Sequence, residues 1–174
     1  MAVVNVLRRH WPLLALLASA AMLAGAHAFE AAGYRPCSLC LRQREVYWAA
    51  IAIAAAALVA TRFWKGPFLP RGANALIGGA FLVGASVAVY HAGVEWKFWP
   101  GPTTCQTVTS GALTVDDITA ALGGAVKAVP CDEAAWRDPI TGLSMAGWNA
   151  LVSFALAGFS LFAAAAPVTR TDHD

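Results

Sequence analysis

The sequence predicts an all-α membrane protein, a bundle of four transmembrane helices with a long polar loop before the last one. Of its 174 residues, 59% are hydrophobic and only 13% are charged, whereas roughly a quarter of a typical soluble domain is charged. The mean hydropathy is +0.58. The apolar residues fall into four runs, and the first, with Trp11 and Pro12 added, just spans a hydrocarbon core of about 30 Å at about 1.5 Å per residue. We therefore expect residues 1–174 to form one four-span membrane domain. The small net charge of +2 gives no indication of a nucleic-acid partner.

The first span is expected at about residues 12–29. Its core, LLALLASAAMLAGAHAF, carries no charge, and Pro12 suits a helix start because the missing N–H costs nothing there. The alternative is a cleaved signal peptide, with a basic start at Arg8-Arg9-His10 and a possible cleavage site at Ala26-His27-Ala28. In both cases residue 30 emerges on the far side of the membrane.

The remaining spans are expected at about residues 46–63, 73–91 and 145–166. The third contains Gly78-Gly79 and Gly84-Ala85-Ser86, and small residues let membrane helices approach closely. This span is therefore expected at the centre of the bundle.

The long connection before the last span predicts a short helix of its own. Thr114 is placed as an N-cap with Asp117 in the capping-box position. Ile118, Leu122 and Val126 then recur at helical spacing and form one apolar stripe. Such an amphipathic helix could lie on the membrane surface or pack against the loop itself, and the sequence leaves both open.

The positive-inside rule, which counts Lys and Arg near the spans, favours a topology with both termini in the cytoplasm. Each side then carries six basic residues, but the cytoplasmic six lie in much shorter segments and include the basic N-terminus. The cytoplasmic residues are Arg8, Arg9, Arg62, Lys65, Arg71 and Arg170, and the outer ones are Arg35, Arg42, Arg44, Lys97, Lys127 and Arg137. All four cysteines then lie on the outer, oxidising side, in the loops at about 30–45 and 92–144.

Cys37 and Cys40 form a C-x-x-C motif just before the second apolar run. A bridge closing so small a ring stabilises a fold by only about 2 kcal/mol, against about 3.5 kcal/mol for one from Cys105 to Cys131. The motif is therefore better interpreted as a dithiol that opens and closes than as a structural bridge.

Helical spacing gives this motif neighbours. If the second helix begins near Cys40, its N-terminus favours a thiolate, and Arg44 at i+4 lies on the same face whereas Arg42 at i+2 does not. Tyr47 and Trp48 continue that face further in. A thiolate, a cation and an aromatic wall suit a planar, lipid-soluble electron acceptor. The alternatives are an interfacial arginine that reaches lipid phosphate and an ordinary aromatic belt.

Cys105 and Cys131 form a second pair, each close to proline in the long loop. We expect both on irregular, accessible backbone. They could form a static disulfide or an exposed disulfide that a partner's thiol attacks. A zinc site built from all four cysteines is disfavoured, because the second pair lacks C-x-x-C spacing and zinc needs every thiol reduced.

His91, at the outer end of the third span, is the histidine of interest. It could hydrogen-bond an oxygen of a quinone, or it could be an interfacial side chain, and the second interpretation is slightly favoured. His27 is expected to be interfacial as well.

The whole arrangement resembles the DsbB family of bacterial inner-membrane disulfide-bond formation proteins. The shared features are a C-x-x-C motif opening span 2, an arginine four residues later, and two further cysteines before span 4. The segment Trp99-Pro100-Gly101-Pro102-Thr103-Thr104-Cys105 and the Pro130-Cys131 pair extend the likeness. It covers nearly the whole chain.

The resemblance implies an electron relay. A periplasmic DsbA-like thiol oxidase, of thioredoxin fold, would attack a Cys105–Cys131 disulfide through Cys105. Electrons would pass to a Cys37–Cys40 disulfide and then to a membrane quinone, ubiquinone or menaquinone. On matching positions, Cys40 would contact the quinone ring and Arg44 would polarise it, with His91 and Trp48 as further candidates for quinone binding.

Two other functions remain open from the sequence. A vitamin K epoxide reductase-like relay also uses a C-x-x-C motif and loop cysteines, although its motif comes late in the chain. A non-enzymatic membrane protein with two structural disulfides is the other alternative.

Overall fold

The computed structural model describes residues 2–64, 66, 68–102, 105 and 130–165, with side chains from residue 10 onward. It contains four long helices, and each has a segment long and apolar enough to cross a membrane. The described residues contain no β-strand, only an isolated bridge between Arg137 and Ser144. The predicted class, an all-α four-span membrane bundle, is confirmed. The helices are α1 (Ala2–Ala31), α2 (Ser38–Phe63), α3 (Phe68–Glu95) and α4 (Met145–Ala165).

Three helices extend beyond the apolar runs that predicted them. Helix α1 starts at Ala2 and passes through Pro12, so Pro12 is not at the helix start as expected. Helix α3 begins at Phe68 and holds Pro70 in its first turn, where a missing N–H leaves no hydrogen bond unmade. Helix α2 begins at Ser38 rather than near residue 46. Its first two turns contain charged residues, which end an apolar run but are compatible with a helix.

The centre of the bundle is packed through small residues on α3. This helix packs most extensively against α4 and then α2, while α1 packs mainly against α2. A Cβ atom on Gly78 would lie 2.9 Å from the Leu161 side chain, and one on Gly84 would lie 3.0 Å from Val46. These glycines therefore set the close approach of α3 to its neighbours, as the sequence predicted.

One core cluster joins all four helices through mainly small and aromatic residues. Helix α1 is also attached to α4 by a polar contact, because the Trp11 indole N–H donates to Ser160 Oγ over 2.8 Å. The buried members of the cluster are Trp11, Ala15, Leu23, Tyr47, Ala50, Ala54, Ile77, Phe81, Ala157 and Ala163.

After α3 the chain folds back against its own helix. The Trp99 ring stacks on Tyr90, with ring centroids 6.0 Å apart, and its indole N–H donates to the Tyr90 carbonyl. This contact requires Gly93, because a Cβ there would lie 2.1 Å from the Trp99 ring. The turn brings Cys105 back to the N-terminal end of α2. The helix predicted around residues 114–126 lies outside the described residues.

Candidate functional site

The two cysteine pairs meet at one end of the bundle, hereafter the cysteine end. Cys37, Cys105 and Cys131 share one buried cluster with Leu39 and Val94. A side chain between the C-x-x-C cysteines touches the loop pair directly: Ser38 Oγ lies 2.9 Å from Cys105 Sγ and 3.5 Å from Cys131 Sγ. Residues more than 60 positions apart in the chain therefore form one sulfur-rich site.

The pairs are in opposite redox states. Cys105 and Cys131 are joined by a disulfide, whereas Cys37 and Cys40 are free thiols whose Sγ atoms lie 2.7 Å apart. The Cys37–Cys40 disulfide implied by the family resemblance is thus replaced here by a thiol–thiol hydrogen bond. Cys37 caps α2 and Cys40 lies in its first turn, so the open pair is held in a position to close.

The loop disulfide is buried, contrary to the expectation that both cysteines would be accessible. Cys105 is 7% exposed and Cys131 is fully buried. The reason is the fold-back after α3, which presses Val94 and Gly101 around the loop sulfurs. Proline near a cysteine indicated irregular backbone correctly but carried no information on burial.

Cys37 caps helix α2. Its backbone is extended, with φ −80° and ψ 173°, and its Sγ accepts a hydrogen bond from the Cys40 N–H over 3.2 Å. The hydrogen bond to Cys40 and then burial raise the pKa of the Cys37 thiol. Cys37 therefore keeps its proton and donates to Cys40, and Cys40 is left as the nucleophilic sulfur at the helix N-terminus.

His91 is part of this site rather than an interfacial side chain. It is only 3% exposed, its Nε2 lies 3.5 Å from Cys37 Sγ, and its Nδ1 lies 2.8 Å from Gln43 Nε2. The interfacial interpretation failed because α3 continues to Glu95, which places His91 a full turn inside the bundle rather than at its end.

A buried polar chain extends from His91 across the bundle. Gln43 contacts Asn149, Tyr47 donates from its hydroxyl to Asn149 Oδ1, and the Tyr47 and Ser153 hydroxyls lie 3.0 Å apart. Gln43 and Asn149 were not predicted from the sequence. A signal existed for Asn149, because an amide inside an apolar span must find a partner within the protein, whereas Gln43 precedes the predicted second span.

Glu95 is a third residue of the site that was not predicted from the sequence. It stands four residues after His91, on the same helical face, and its Oε1 lies 3.8 Å from His91 Nε2. Glu95 is only 8% exposed, and its Oε2 has no hydrogen-bond partner among the described residues. A hydrogen bond from Ser144 and the charge of Arg137 act on the same carboxyl group and offset part of the cost of burying it.

A cavity of about 430 Å³ opens beside the thiols. It is walled mainly by apolar residues of α1 and by aromatic side chains, and a few polar groups converge on it from α2, α3 and α4. Its polar and charged lining includes Arg35, Cys37, Cys40, Gln43, Arg44, His91, Glu95, Glu133, Asp138 and Asn149, and its aromatic lining includes Phe29, Tyr34, Tyr47, Trp136 and Trp148.

Arg44 lines this cavity with only 15% of its side chain exposed. Its guanidinium contacts Glu30 Oε2 at 2.7 Å and donates to the Ala26 carbonyl over 3.2 Å. Arg44 therefore bridges α2 to α1 instead of reaching out to lipid. Arg42, which spacing placed on another face, pairs with Glu45 and is 70% exposed.

Trp48 lies outside the site. It is 57% exposed and is not part of the cavity lining, whereas Tyr47 is 5% exposed and lines it. At 3.6 residues per turn, position i+7 lies about 20° from Cys40 around the helix and position i+8 about 80°. Tyr47 thus continues the face of Cys40 and Arg44, and Trp48 turns away from it.

Comparison with known proteins gives a family. Residues 8–163 match the family model described as "Disulfide bond formation protein DsbB". No curated protein and no solved structure matches the chain at a significant level.

Proposed function

The chain belongs to the DsbB family of disulfide bond formation proteins, a family of membrane oxidoreductases, and we propose that it reoxidises a periplasmic DsbA-like thiol oxidase and passes the electrons to a membrane quinone. The observation that carries this proposal is the contact between two cysteine pairs in opposite redox states, one a disulfide and the other a dithiol. Two structural disulfides would have no need of such a contact.

The first exchange takes place at the loop disulfide. A thiolate of the reduced partner attacks Cys105 Sγ, and Cys131 leaves as a thiolate; the partner's second thiol then resolves the mixed disulfide. Cys105 suits the role of first target because it is the more exposed of the two residues, at 7% against 0%. Two electrons and two protons move from the partner's dithiol to the loop pair.

The second exchange transfers the same two electrons to the C-x-x-C pair. A loop thiolate attacks the Cys37–Cys40 disulfide, the loop disulfide forms again, and Cys37 and Cys40 become thiols. Ser38, between them, contacts both loop sulfurs and holds the two pairs in reach of each other. After this step the loop pair is a disulfide and the C-x-x-C pair is a dithiol.

The cavity fits a quinone ring in size and chemistry. Its volume of about 430 Å³ falls within the usual range for small-molecule sites. Its apolar wall is formed mainly by the membrane-spanning helix α1. A bound quinone would supply a two-electron acceptor that becomes a quinol. Cys40 would present the reacting sulfur, Arg44 would hold a positive charge beside the ring, and His91 would offer a hydrogen bond.

We place the cysteine end in the periplasm and both termini in the cytoplasm, in a bacterial inner membrane. The basic N-terminus supports this orientation. Basic residues beside the C-x-x-C motif are unfavourable for a periplasmic location under the positive-inside rule. Arg44 and Arg42, however, each pair with an acidic residue, Glu30 and Glu45 respectively, so they have a structural role on that side.

Quinone turnover tests this proposal. The purified protein in detergent should reduce a soluble quinone when given a reduced DsbA-like partner, and Cys40→Ser should abolish the activity. Trp48→Leu serves as the matched control, because this residue lies outside the site and should leave turnover unchanged. Partner-dependent quinone reduction that survives Cys40→Ser would rule the assignment out.

A further inference from the structure

We propose that the dithiol form of this site binds a thiophilic divalent cation, with Zn²⁺ as the reference ion, through Cys37 Sγ, Cys40 Sγ and His91 Nε2. These three side chains come from two helices and the cap between them, and their donor atoms all lie within 4.8 Å of one another. Two thiolates and one imidazole are a ligand set that zinc uses in proteins with a fourth position left for another ligand.

The distances fit a tetrahedral ion closely. With Zn–S bonds of about 2.3 Å and Zn–N bonds of about 2.0 Å, neighbouring ligand atoms lie roughly 3.3–3.8 Å apart. Cys37 Sγ and His91 Nε2 are already 3.5 Å apart. Only the two sulfurs, at 2.7 Å, must separate, by about 1 Å on the same bond lengths, and the half-buried Cys40 can do this by a change in χ1.

Glu95 can reach the fourth position after a movement of its side chain. Its Oε1 lies 3.8 Å from His91 Nε2, about 0.5 Å more than the N–O edge of a tetrahedron with bonds of about 2.0 Å, so the carboxylate must move closer to complete the site. Ser144 donates a hydrogen bond to the carboxyl group, but its Oε2 is buried without a hydrogen-bond partner among the described residues and is left for a cation. A cation would also neutralise a carboxylate that is otherwise costly to bury.

The tautomer of His91 can adapt to a metal. Coordination through Nε2 requires a proton on Nδ1, and that proton needs an acceptor. Gln43 can present its carboxamide oxygen to Nδ1, because an amide places oxygen and nitrogen at nearly equivalent positions. Gln43 would then donate to Asn149, Asn149 to Tyr47, and Tyr47 to Ser153. Each contact of the chain is kept with its direction reversed, since hydroxyls both donate and accept.

An entry path is present. Tyr34 and Arg35 line the cavity and are exposed to solvent at the cysteine end, which gives an aqueous ion a route to the thiols.

The site exists in only one redox state. Binding converts two thiols and one aquo-ion into a bis-thiolate complex and releases two protons; no electron moves. Closing the Cys37–Cys40 disulfide removes two of the ligands. A cation bound here would therefore hold the pair reduced and stop quinone reduction, a consequence that rests on the proposed function, whereas the binding itself rests on geometry alone.

Direct binding is the test. In a Cys105→Ser/Cys131→Ser variant, Cys37 and Cys40 are the remaining thiols, because the chain has four cysteines. After reduction with a phosphine, this protein in detergent should take up one Zn²⁺ in competition with a chromophoric chelator. Co²⁺ should give the visible bands of a four-coordinate ion and a thiolate charge-transfer band.

Two comparisons decide the outcome. Loss of a residue that only supports a metal ligand weakens metal binding about 10- to 100-fold. His91 and Glu95 are direct ligands in the proposed site, so His91→Ala and Glu95→Gln should each weaken Zn²⁺ binding at least about tenfold. His27→Ala, a histidine that is 58% exposed and pairs with Glu30, should change nothing. The same protein with its Cys37–Cys40 disulfide closed should bind no Zn²⁺ at this site. Equal binding by the reduced and oxidised forms, or undiminished binding in His91→Ala, would overturn the site. If His91→Ala does not fold, the redox comparison still decides.

Inhibition is measured separately on the wild type. Zn²⁺ should stop partner-dependent quinone reduction, and a chelator should restore it. Zn²⁺ binding without any quinone reduction would refute the proposed function and leave the metal site standing. Quinone reduction without redox-dependent Zn²⁺ binding would refute the metal site alone.

Discussion

Gln43 connects three helices through the site, and its replacement by leucine gives a sharp test of the buried polar chain. The residue is 7% exposed. Its amide contacts His91 Nδ1 on α3, 2.8 Å away, and Asn149 on α4. Leucine fills a similar volume but removes both contacts, and leaves His91 and Asn149 with unmatched polar groups inside the bundle.

The expected loss of stability is modest and can be bounded. Hydrogen bonds between membrane helices contribute about 0.6 kcal/mol on average and up to about 1.7 kcal/mol. Loss of two such contacts predicts that Gln43→Leu lowers the free energy of unfolding by about 1–3 kcal/mol. Unpaired buried groups in a soluble protein would cost about 1–3 kcal/mol each, and the lower membrane values apply because lost partners are partly replaced in the unfolded state.

The assay is unfolding by SDS in mixed micelles, combined with quinone turnover. Gln43→Leu should be less stable by the stated amount, and should also be slower because His91 loses the group that orients it. Ser86→Ala is the matched control, since the Ser86 hydroxyl is exposed and bonds only to Leu82 of its own helix over 2.9 Å. A variant with both wild-type stability and wild-type turnover would refute the role of this chain.

Three further predictions follow from individual residues. Arg44→Ala should lower quinone turnover several-fold, because it removes the cation beside the cavity, and the exposed Arg42→Ala should not; equal effects would contradict the cavity assignment. Gly93→Ala should slow reoxidation of the partner, because its Cβ would lie 2.1 Å from the Trp99 ring and displace Cys105, whereas Gly79→Ala meets nothing within 4 Å and should be silent. The pKa of Cys37 is raised by its hydrogen bond to Cys40 and by burial, so Cys37 stays protonated above the ordinary thiol pKa of about 8.5. Iodoacetamide at pH 9 should therefore alkylate Cys40 first, as mapped by mass spectrometry, and preferential alkylation of Cys37 would contradict this.

The sequence predicted the four-span class because apolar run length and charge depletion are properties of the whole chain. It also separated Arg44 from Arg42, since helical spacing alone decides that question. It could not place His91, because that depends on where α3 ends. Trp48 could have been set aside by the same helical spacing, since i+8 lies about 80° from Cys40 around the helix. Asn149 could have been noticed as an amide inside an apolar run. Gln43 and Glu95 lie outside the predicted spans, and their significance comes from a partner more than 40 positions away or from burial, neither of which local pattern records.

Burial of the loop disulfide illustrates the same limit. Proline and glycine around Cys105 correctly indicated irregular backbone, but the packing of Leu39 and Val94 against the loop cysteines is a tertiary contact. The contact between the two cysteine pairs likewise joins segments that only the folded bundle brings together.

The direction of electron flow is the central claim, and thiol mapping tests it most directly. Fully oxidised, quinone-free protein is mixed with one equivalent of reduced DsbA-like partner, quenched in acid, alkylated and analysed by mass spectrometry. The relay predicts alkylated Cys37 and Cys40 together with an intact Cys105–Cys131 disulfide, the redox pattern of the structure. Alkylated Cys105 and Cys131 with an intact Cys37–Cys40 disulfide would contradict it.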